Sequence, residues 1–277
     1  MFLKSLTGEA QNPLHEIGNK FVLATSHSPM WNIIEFDELA STNTLASEML
    51  ARGEAKHGDV IQARHQTSGR GRGAGRIWND SPGDSLLMSI VLTEIPEPAH
   101  LLHYRAALAV LQAIRGMTTE ISFSDIRLKW PNDILIHGKK VCGLLVEAQW
   151  NGMVMRSAII GIGLNVGQKS FPPELSNIAT SLHQCGIGTS VDEIRNRILD
   201  AVGAELDDIS LPSILFQLNR ELAWMSELPS LEFTNDNEER VSDLHFEKLE
   251  ASGALRLRQR DGGTVILHHG NLVHPMQ

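Results

Sequence analysis

Eight consecutive residues, Gly69-Arg70-Gly71-Arg72-Gly73-Ala74-Gly75-Arg76, interleave glycine with arginine. Glycine tolerates positive φ and lets backbone N–H groups approach an anion closely. The guanidinium groups add fixed charge and forked donors that match carboxylate or phosphate. Such a stretch suits a phosphate-bearing ligand. On composition alone it reads equally well as a basic loop that binds nothing specific. It lacks the Gly-Lys-Ser/Thr ending and following helix of a P-loop. Unlike an arginine–glycine RNA-binding tail, it is short, internal and flanked by strand patterns.

A second group is Lys129-Trp130-Pro131-Asn132-Asp133. It crowds an ammonium, an amide and a carboxylate at a strand end. Proline, asparagine and aspartate favour turns for local reasons, so a purely structural turn stays open. Lys140 stands at the start of the apolar strand Val141 to Val146. It either guards a sheet edge or points its ammonium into a site. Asn165 ends another apolar run, after Gly161-Ile162-Gly163-Leu164. Glycines inside a strand mark close approach of a ligand or of other backbone.

These groups need elements to hold them. A strand is expected around Ile33 to Phe36, then a helix from Asn43 to Ala51 with Ser41 or Thr42 as N-cap and Gly53 as stop. Strands follow at Asp59 to Arg64 and Leu86 to Leu92, with the glycine-rich stretch between them. Leu102, Leu108, Leu111 and Ile114 give Leu101 to Ile114 a helical apolar face. Asp125 to Trp130, Ile134 to Ile136, Val141 to Gln149 and Val154 to Val166 read as an antiparallel meander turning at Pro131–Asp133, His137–Gly138 and Asn151–Gly152. Helical spacing resumes at Asp192 to Leu206 and Pro212 to Trp224. Short strands at Leu244 to Leu249, Ala254 to Arg260 and Thr264 to His268 form a small β module. The expected fold class is therefore α+β, with a mixed, mostly antiparallel sheet. The expected units are an N-terminal extension of little regular structure (1–30), a catalytic domain (31–228) and a small β domain (229–277).

Bulk properties narrow the function. The 277 residues carry a formal net charge of -9, which argues against a nucleic-acid partner. Cys142 and Cys185 make neither a disulfide framework nor a zinc site, and a cytoplasmic location fits them. No run of apolar residues is long enough to span a membrane, and no secretion signal is read. The histidines show no ligand spacing, and Trp31, Trp78, Trp150 and Trp224 are expected to serve packing.

The motifs, taken in order, resemble the biotin–protein ligase family. The matching pieces are Ser41-Thr42-Asn43, then Gln66-Thr67-Ser68-Gly69-Arg70-Gly71-Arg72, then Lys129-Trp130-Pro131-Asn132-Asp133. Gly138-Lys139-Lys140-Val141-Cys142-Gly143-Leu144-Leu145-Val146-Glu147 and Gly161-Ile162-Gly163-Leu164-Asn165-Val166 complete the set, over residues 33 to 185. Each piece alone is weak; the order makes the set specific. The resemblance implies the biotinyl/lipoyl protein ligase catalytic fold, class II synthetase-like, with a small SH3-like barrel at the C-terminal end.

It also implies an activity: biotin and ATP give biotinyl-5′-AMP, and biotin then passes to a lysine of a biotin carboxyl carrier protein or domain. Arg70, Gly71 and Arg72 would fold over biotin and the phosphoryl group, and Lys140 would neutralise both reacting anions. Ser41, Thr42, Asn43 and Gln66 would serve the ureido ring, a role as mere helix cap being the lesser alternative for Asn43. Gly143 and Leu145 would supply wall and backbone contacts. Asn132, Asp133 and Asn165 would serve the nucleotide, with Asp133 holding Mg²⁺ through water, and Lys129 would assist the acceptor lysine. The arginine loop and the segment with Phe171 and Pro172 would order over ligand.

A homodimer is compatible with the resemblance, and a lipoate ligase or octanoyl transferase is the nearest rival, followed by a non-catalytic binder. No repressor role is expected, because no helix-turn-helix domain fits before Ile33. Two features depart from the family: the stretch Gly69 to Trp78 is one residue longer, and Asp84-Ser85 replaces a small residue and asparagine.

Overall fold

The computed structural model describes residues 21–23, 31–73, 77–207, 210–234 and 239–273. Strand β1 is Phe21–Leu23, and β2 is Asn32–Leu39. Helix α1 (Thr42–Ala51) then crosses to β3 (Asp59–Gln66), which lies parallel to β2. The remaining strands of this sheet are β4 (Ser85–Leu92), β5 (Ile126–Lys129), β6 (Asp133–Ile136), β7 (Lys139–Asn151) and β8 (Val154–Asn165). Their order is β1-β2-β3-β4-β8-β7-β6-β5, and every pairing except β2–β3 is antiparallel. Of the expected N-terminal extension only Phe21–Leu23 is described, and it is an edge strand rather than irregular chain; the rest lies outside the described residues.

Strand alternation sorts the sheet into two faces. On β4, Leu86, Met88, Ile90 and Leu92 join the large core with the helices α2 (Leu102–Arg115), α3 (Val191–Asp207) and α4 (Leu211–Leu222). Val91 faces the other way, under α1, with Ile34, Phe36, Leu45, Met49 and Ile159. Ser89 shares that second face. Ser41 is the N-cap of α1, accepting from Thr44 N, and Gly53 beyond the C-cap takes φ of 68°. The first turn of α1 therefore ends at the sheet, with Thr42 and Asn43 buried.

Two turns matter for the site. His137 and Gly138 take φ of 50° and 77°, the double positive-φ pattern of a tight hairpin between β6 and β7. At the far end of β7, Asn151 pairs with Val154, so the turn is Gly152–Met153, one residue later than the sequence suggested. A register shift between Gln149 and Trp150 absorbs the extra residue.

A second, antiparallel sheet follows α4: β9 (Leu231–Thr234), β10 (Arg240–Leu249), β11 (Leu255–Gln259), β12 (Thr264–Leu267) and β13 (Asn271–Leu272), in the order β12-β11-β10-β9-β13. The described ladders leave β12 and β13 at opposite ends, so this is an open sheet where the resemblance implied a barrel. Its apolar residues Phe233, Leu244 and Leu257 belong to the large core.

One tyrosine ties the two sheets together. Tyr104 Oη accepts from Trp130 Nε1 at 2.6 Å and donates to Gly253 O at 2.6 Å. Trp130 also meets Phe233 of β9 edge-on, with centroids 5.9 Å apart. Gly253 takes φ of 84°, and a Cβ there would stand 3.2 Å from the Tyr104 ring. Tyr104→Phe leaves a buried indole N–H and a carbonyl without partners. Urea denaturation should show about 1–3 kcal/mol lost; an unchanged midpoint would contradict this account.

Candidate active site

The second face of the main sheet carries a cleft beyond the end of α1. Its floor is made by glycines. Gly143 on β7 pairs directly with Gly163 on β8, and Gly161 pairs with Leu145. A Cβ at Gly163 would meet the Trp78 ring at 2.7 Å, and one at Gly143 would meet Lys140 Nζ at 2.8 Å. A Cβ at Gly161 would collide with the Asn43 amide. These glycines are needed because three side chains lie flat on the strands.

Lys140 reaches this face through a bulge. Lys140 pairs with Leu135 and Cys142 with Ile134, so Val141 is the extra residue. A bulge reverses the alternation beyond it. Lys140 therefore shares a face with Gly143 instead of opposing it. Its Nζ crosses bare Gly143 to reach Asp133 Oδ1 at 2.7 Å, and lies 5.5 Å from the Trp78 ring centroid. Asp133 is the cross-strand partner of Gly143, which sets the ion pair's direction.

The mouth is closed by α1 and the arginine stretch. Ser41, Thr42 and Asn43 line one wall, with Gln66 beside them. Gln66 Oε1 accepts from Thr42 N at 2.7 Å and from Thr42 Oγ1 at 3.1 Å, which leaves its amide N–H groups to serve other partners. Arg70, Gly71 and Arg72 line the cleft as well. Arg70 Nη2 donates to Glu147 Oε2 at 2.9 Å, and Arg72 Nη1 donates to Gly270 O at 3.1 Å. The two arginines thus have different partners, one on β7 and one beside the second sheet.

Two other titratable groups close to the cleft add no charge to it. Burial, aided by Arg72, pushes His103 down to about 4, so it is neutral at pH 7. Burial raises the Cys142 thiol, against the pull of Lys140 and with the help of Asp133, so it is no nucleophile. Among the described residues, no cluster of three His, Cys, Asp or Glu is placed to hold a metal ion.

The cleft gathers all ten residues expected to meet biotin, Leu145, Gly143 and Lys140 included, and Asn132 with them. Asn132 Nδ2 donates to Leu144 O at 2.6 Å. Lys129 and Asp133 line an adjoining groove against Thr234 and Asn271. Asn165 is placed differently. It is buried, donates to Thr180 O at 2.9 Å and lies 3.4 Å from Gln168 Nε2. Phe171 lines a separate groove with His137 and Lys139 rather than the cleft. Sequence reasoning missed Trp78, assigned to packing, whose ring covers the glycine floor and whose Nε1 is buried without a partner. An aromatic just after the arginine stretch was the available signal. Ser89 was missed too; its Oγ donates to Asn43 Oδ1 at 2.6 Å.

Comparison with known proteins places this geometry. Residues 35–165 match the model of the biotin/lipoate A/B protein ligase family. The bifunctional ligase/repressor BirA of Bacillus subtilis is 44% identical over 168 residues, covering 58% of this chain and 49% of that protein. The chain thus spans about half the length of such relatives. The biotin–[acetyl-CoA-carboxylase] ligase of Paracoccus denitrificans is 28% identical over 242 residues, covering 82% of this chain and 96% of that protein. Among solved structures, the biotin protein ligase from Aquifex aeolicus in complex with biotin and ATP superposes with a TM-score of 0.72 at 26% identity, over 87% of this chain and 97% of that one. The matched stretch begins in β2 and ends on the last residue of β8, so the likeness to the biotin/lipoate A/B protein ligase family covers the whole glycine floor.

Proposed function

We propose that this chain activates biotin with ATP and transfers it to a lysine of a biotin carboxyl carrier domain. The observation that carries the reading is the convergence of Arg70, Arg72 and Lys140, from distant stretches of chain, on one glycine-floored cleft. The first step brings a carboxylate onto the α-phosphorus of ATP. A carboxylate oxygen bonds to phosphorus, the bond to the bridging oxygen breaks, and pyrophosphate leaves. Two anions must meet, so fixed positive charge lowers the barrier. Lys140 supplies it at the floor and Arg72 at the roof. In the second step a lysine amine attacks the acyl carbon, loses a proton, and AMP departs.

The neutral ureido ring of biotin is assigned to the wall of Ser41, Thr42, Asn43 and Gln66. Trp78 is assigned to the apolar body of the ligand. Asn132, Asp133 and Asn165 are assigned to the nucleotide, and Lys129 to the acceptor lysine; Asn165 would first release Thr180 O. Asp133 offers one carboxylate already paired with Lys140. That donor set fits a Mg²⁺ carried mainly by phosphate oxygens and water, not a protein cage. Bound there, the ion would neutralise phosphate charge.

The carrier needs a way in. β6 accompanies β7 only as far as Gly143, whereas β8 follows it to Asn151. An open stretch of strand edge therefore starts beside the cleft, available to a carrier or to a second copy of this chain. Among the described residues no helix is long and apolar enough to cross a membrane. Two free cysteines suit a reducing cytoplasm.

Three experiments test the reading. Biotin at a hundredfold excess over its Kd should stabilise the chain by about 2.7 kcal/mol, while lipoate should not; the reverse order would favour the lipoate reading. Lys140→Ala should slow biotin-dependent pyrophosphate release by about 100–1,000-fold without unfolding the protein. Release at the unaltered rate would remove Lys140 from the chemistry, and no biotinylated carrier from the unaltered protein would favour a binding module.

A further inference from the structure

Glu147 has no part in the chemistry above, yet its carboxylate meets two residues that line the cleft. It lies on the same side of β7 as Gly143 and Leu145. Its Oε2 accepts from Arg70 Nη2 at 2.9 Å and from Asn43 Nδ2 at 2.8 Å. Asn43 is buried, and its amide is spoken for on both sides. Nδ2 serves Glu147 and, at 3.4 Å, Leu145 O, while Oδ1 accepts from Ser89 Oγ at 2.6 Å. Turning the amide over would set its oxygen against a carboxylate, so only this orientation is favourable. Asn43 is thus a strut for Glu147. The strut stands in the first turn of α1, which contains no acidic residue of its own. A helix N-terminus favours negative charge, and Glu147 brings it from β7.

The chain Ser89–Asn43–Glu147–Arg70 therefore runs from the central strand β4 to the arginine stretch. Arg72 fastens the same stretch to the second sheet through Gly270 O. We infer that Glu147 is a positioning residue: held by Asn43, it fastens Arg70 and so keeps residues 69–73 closed over whatever lies on the glycine floor. The consequence for catalysis rests on the ligase reading, in which that occupant is a reactive adenylate; the fastening itself does not. Arg70 and Glu147 are 45% and 35% exposed at the side chain, so solvent screens them. A pair of that exposure moves an equilibrium by up to about fivefold.

Hydrogen–deuterium exchange on the full chain, without ligand, reads the fastening. Glu147→Gln keeps the side-chain size and an acceptor for Asn43 but removes the charge that holds Arg70. Amides 67–73 should then exchange about two- to fivefold faster, with α2 and β8 unchanged. Arg70→Ala should give the same acceleration, and the double variant no more than either alone. Loop exchange at the unaltered rate would overturn the inference, as would faster exchange spread over the whole chain, the mark of a merely structural residue. Should Glu147→Gln fail to fold, the unaltered protein decides: at about 1 M salt, where the Debye length is about 3 Å, the same amides should speed up selectively, and no selective change contradicts the fastening.

With biotin and ATP added, Glu147→Gln should release biotinyl-AMP to solution faster by the same factor. Faster loop exchange with unaltered release would overturn the positioning role. An unaltered protein that makes no adenylate refutes the ligase reading, while the exchange arm still decides the role of Glu147.

Discussion

Three cations share one cleft, and each is met by an acceptor from the protein itself. Arg70 has Glu147, Lys140 has Asp133, and Arg72 has a carbonyl of the second sheet. This arrangement answers a physical problem. Positive groups gathered for an anion repel one another and lose hydration before the anion arrives. Internal acceptors keep them in place at little cost. Under the proposed function, a ligand anion would exchange with partners already present, so charge complementarity would be organised before binding rather than built during it.

The sheet makes that arrangement possible. Bare glycines at 143, 161 and 163 let Lys140, Asn43 and Trp78 lie on the strands. The bulge at Val141 turns Lys140 to the glycine side. The opposite face of the same strands is filled by Leu164, Ile162 and Ile160 against α2, α3 and α4. One alternation therefore builds a rigid core and an open binding surface back to back. The Tyr104 bridge extends this rigidity to the second sheet, and so to Gly270, the anchor of Arg72.

Much of this was legible in the residues. The cap at Ser41, the glycine stop at Gly53 and the hairpin at His137–Gly138 follow from local chemistry, which acts at short range. The cleft residues were legible as motifs with an order. What local patterns do not encode is where a side chain's partners come from. Asn43 reads as a helix residue, but its partners Ser89 and Glu147 lie on other strands. Trp78 reads as packing, and it does pack, but against glycines of the cleft floor. The turn after β7 shifted by one residue because a bulge, invisible in the Asn–Gly pattern, reset the register. Strand β9 was hard to find because four residues with only Leu231 and Phe233 buried give almost no periodic signal. Asn165 was assigned to the nucleotide from its place at a strand end; its bond to Thr180 O, from a loop fifteen residues on, is another contact no local pattern encodes.

The most direct test of the converging cations is a crystal structure of the chain with a non-hydrolysable biotinyl-AMP analogue. The phosphoryl oxygens should stand about 3 Å from Lys140 Nζ and from the Arg72 guanidinium, with the bicyclic ring against Thr42 and Gln66. An analogue seated elsewhere, with those two side chains still turned to Asp133 and Gly270, would contradict the account.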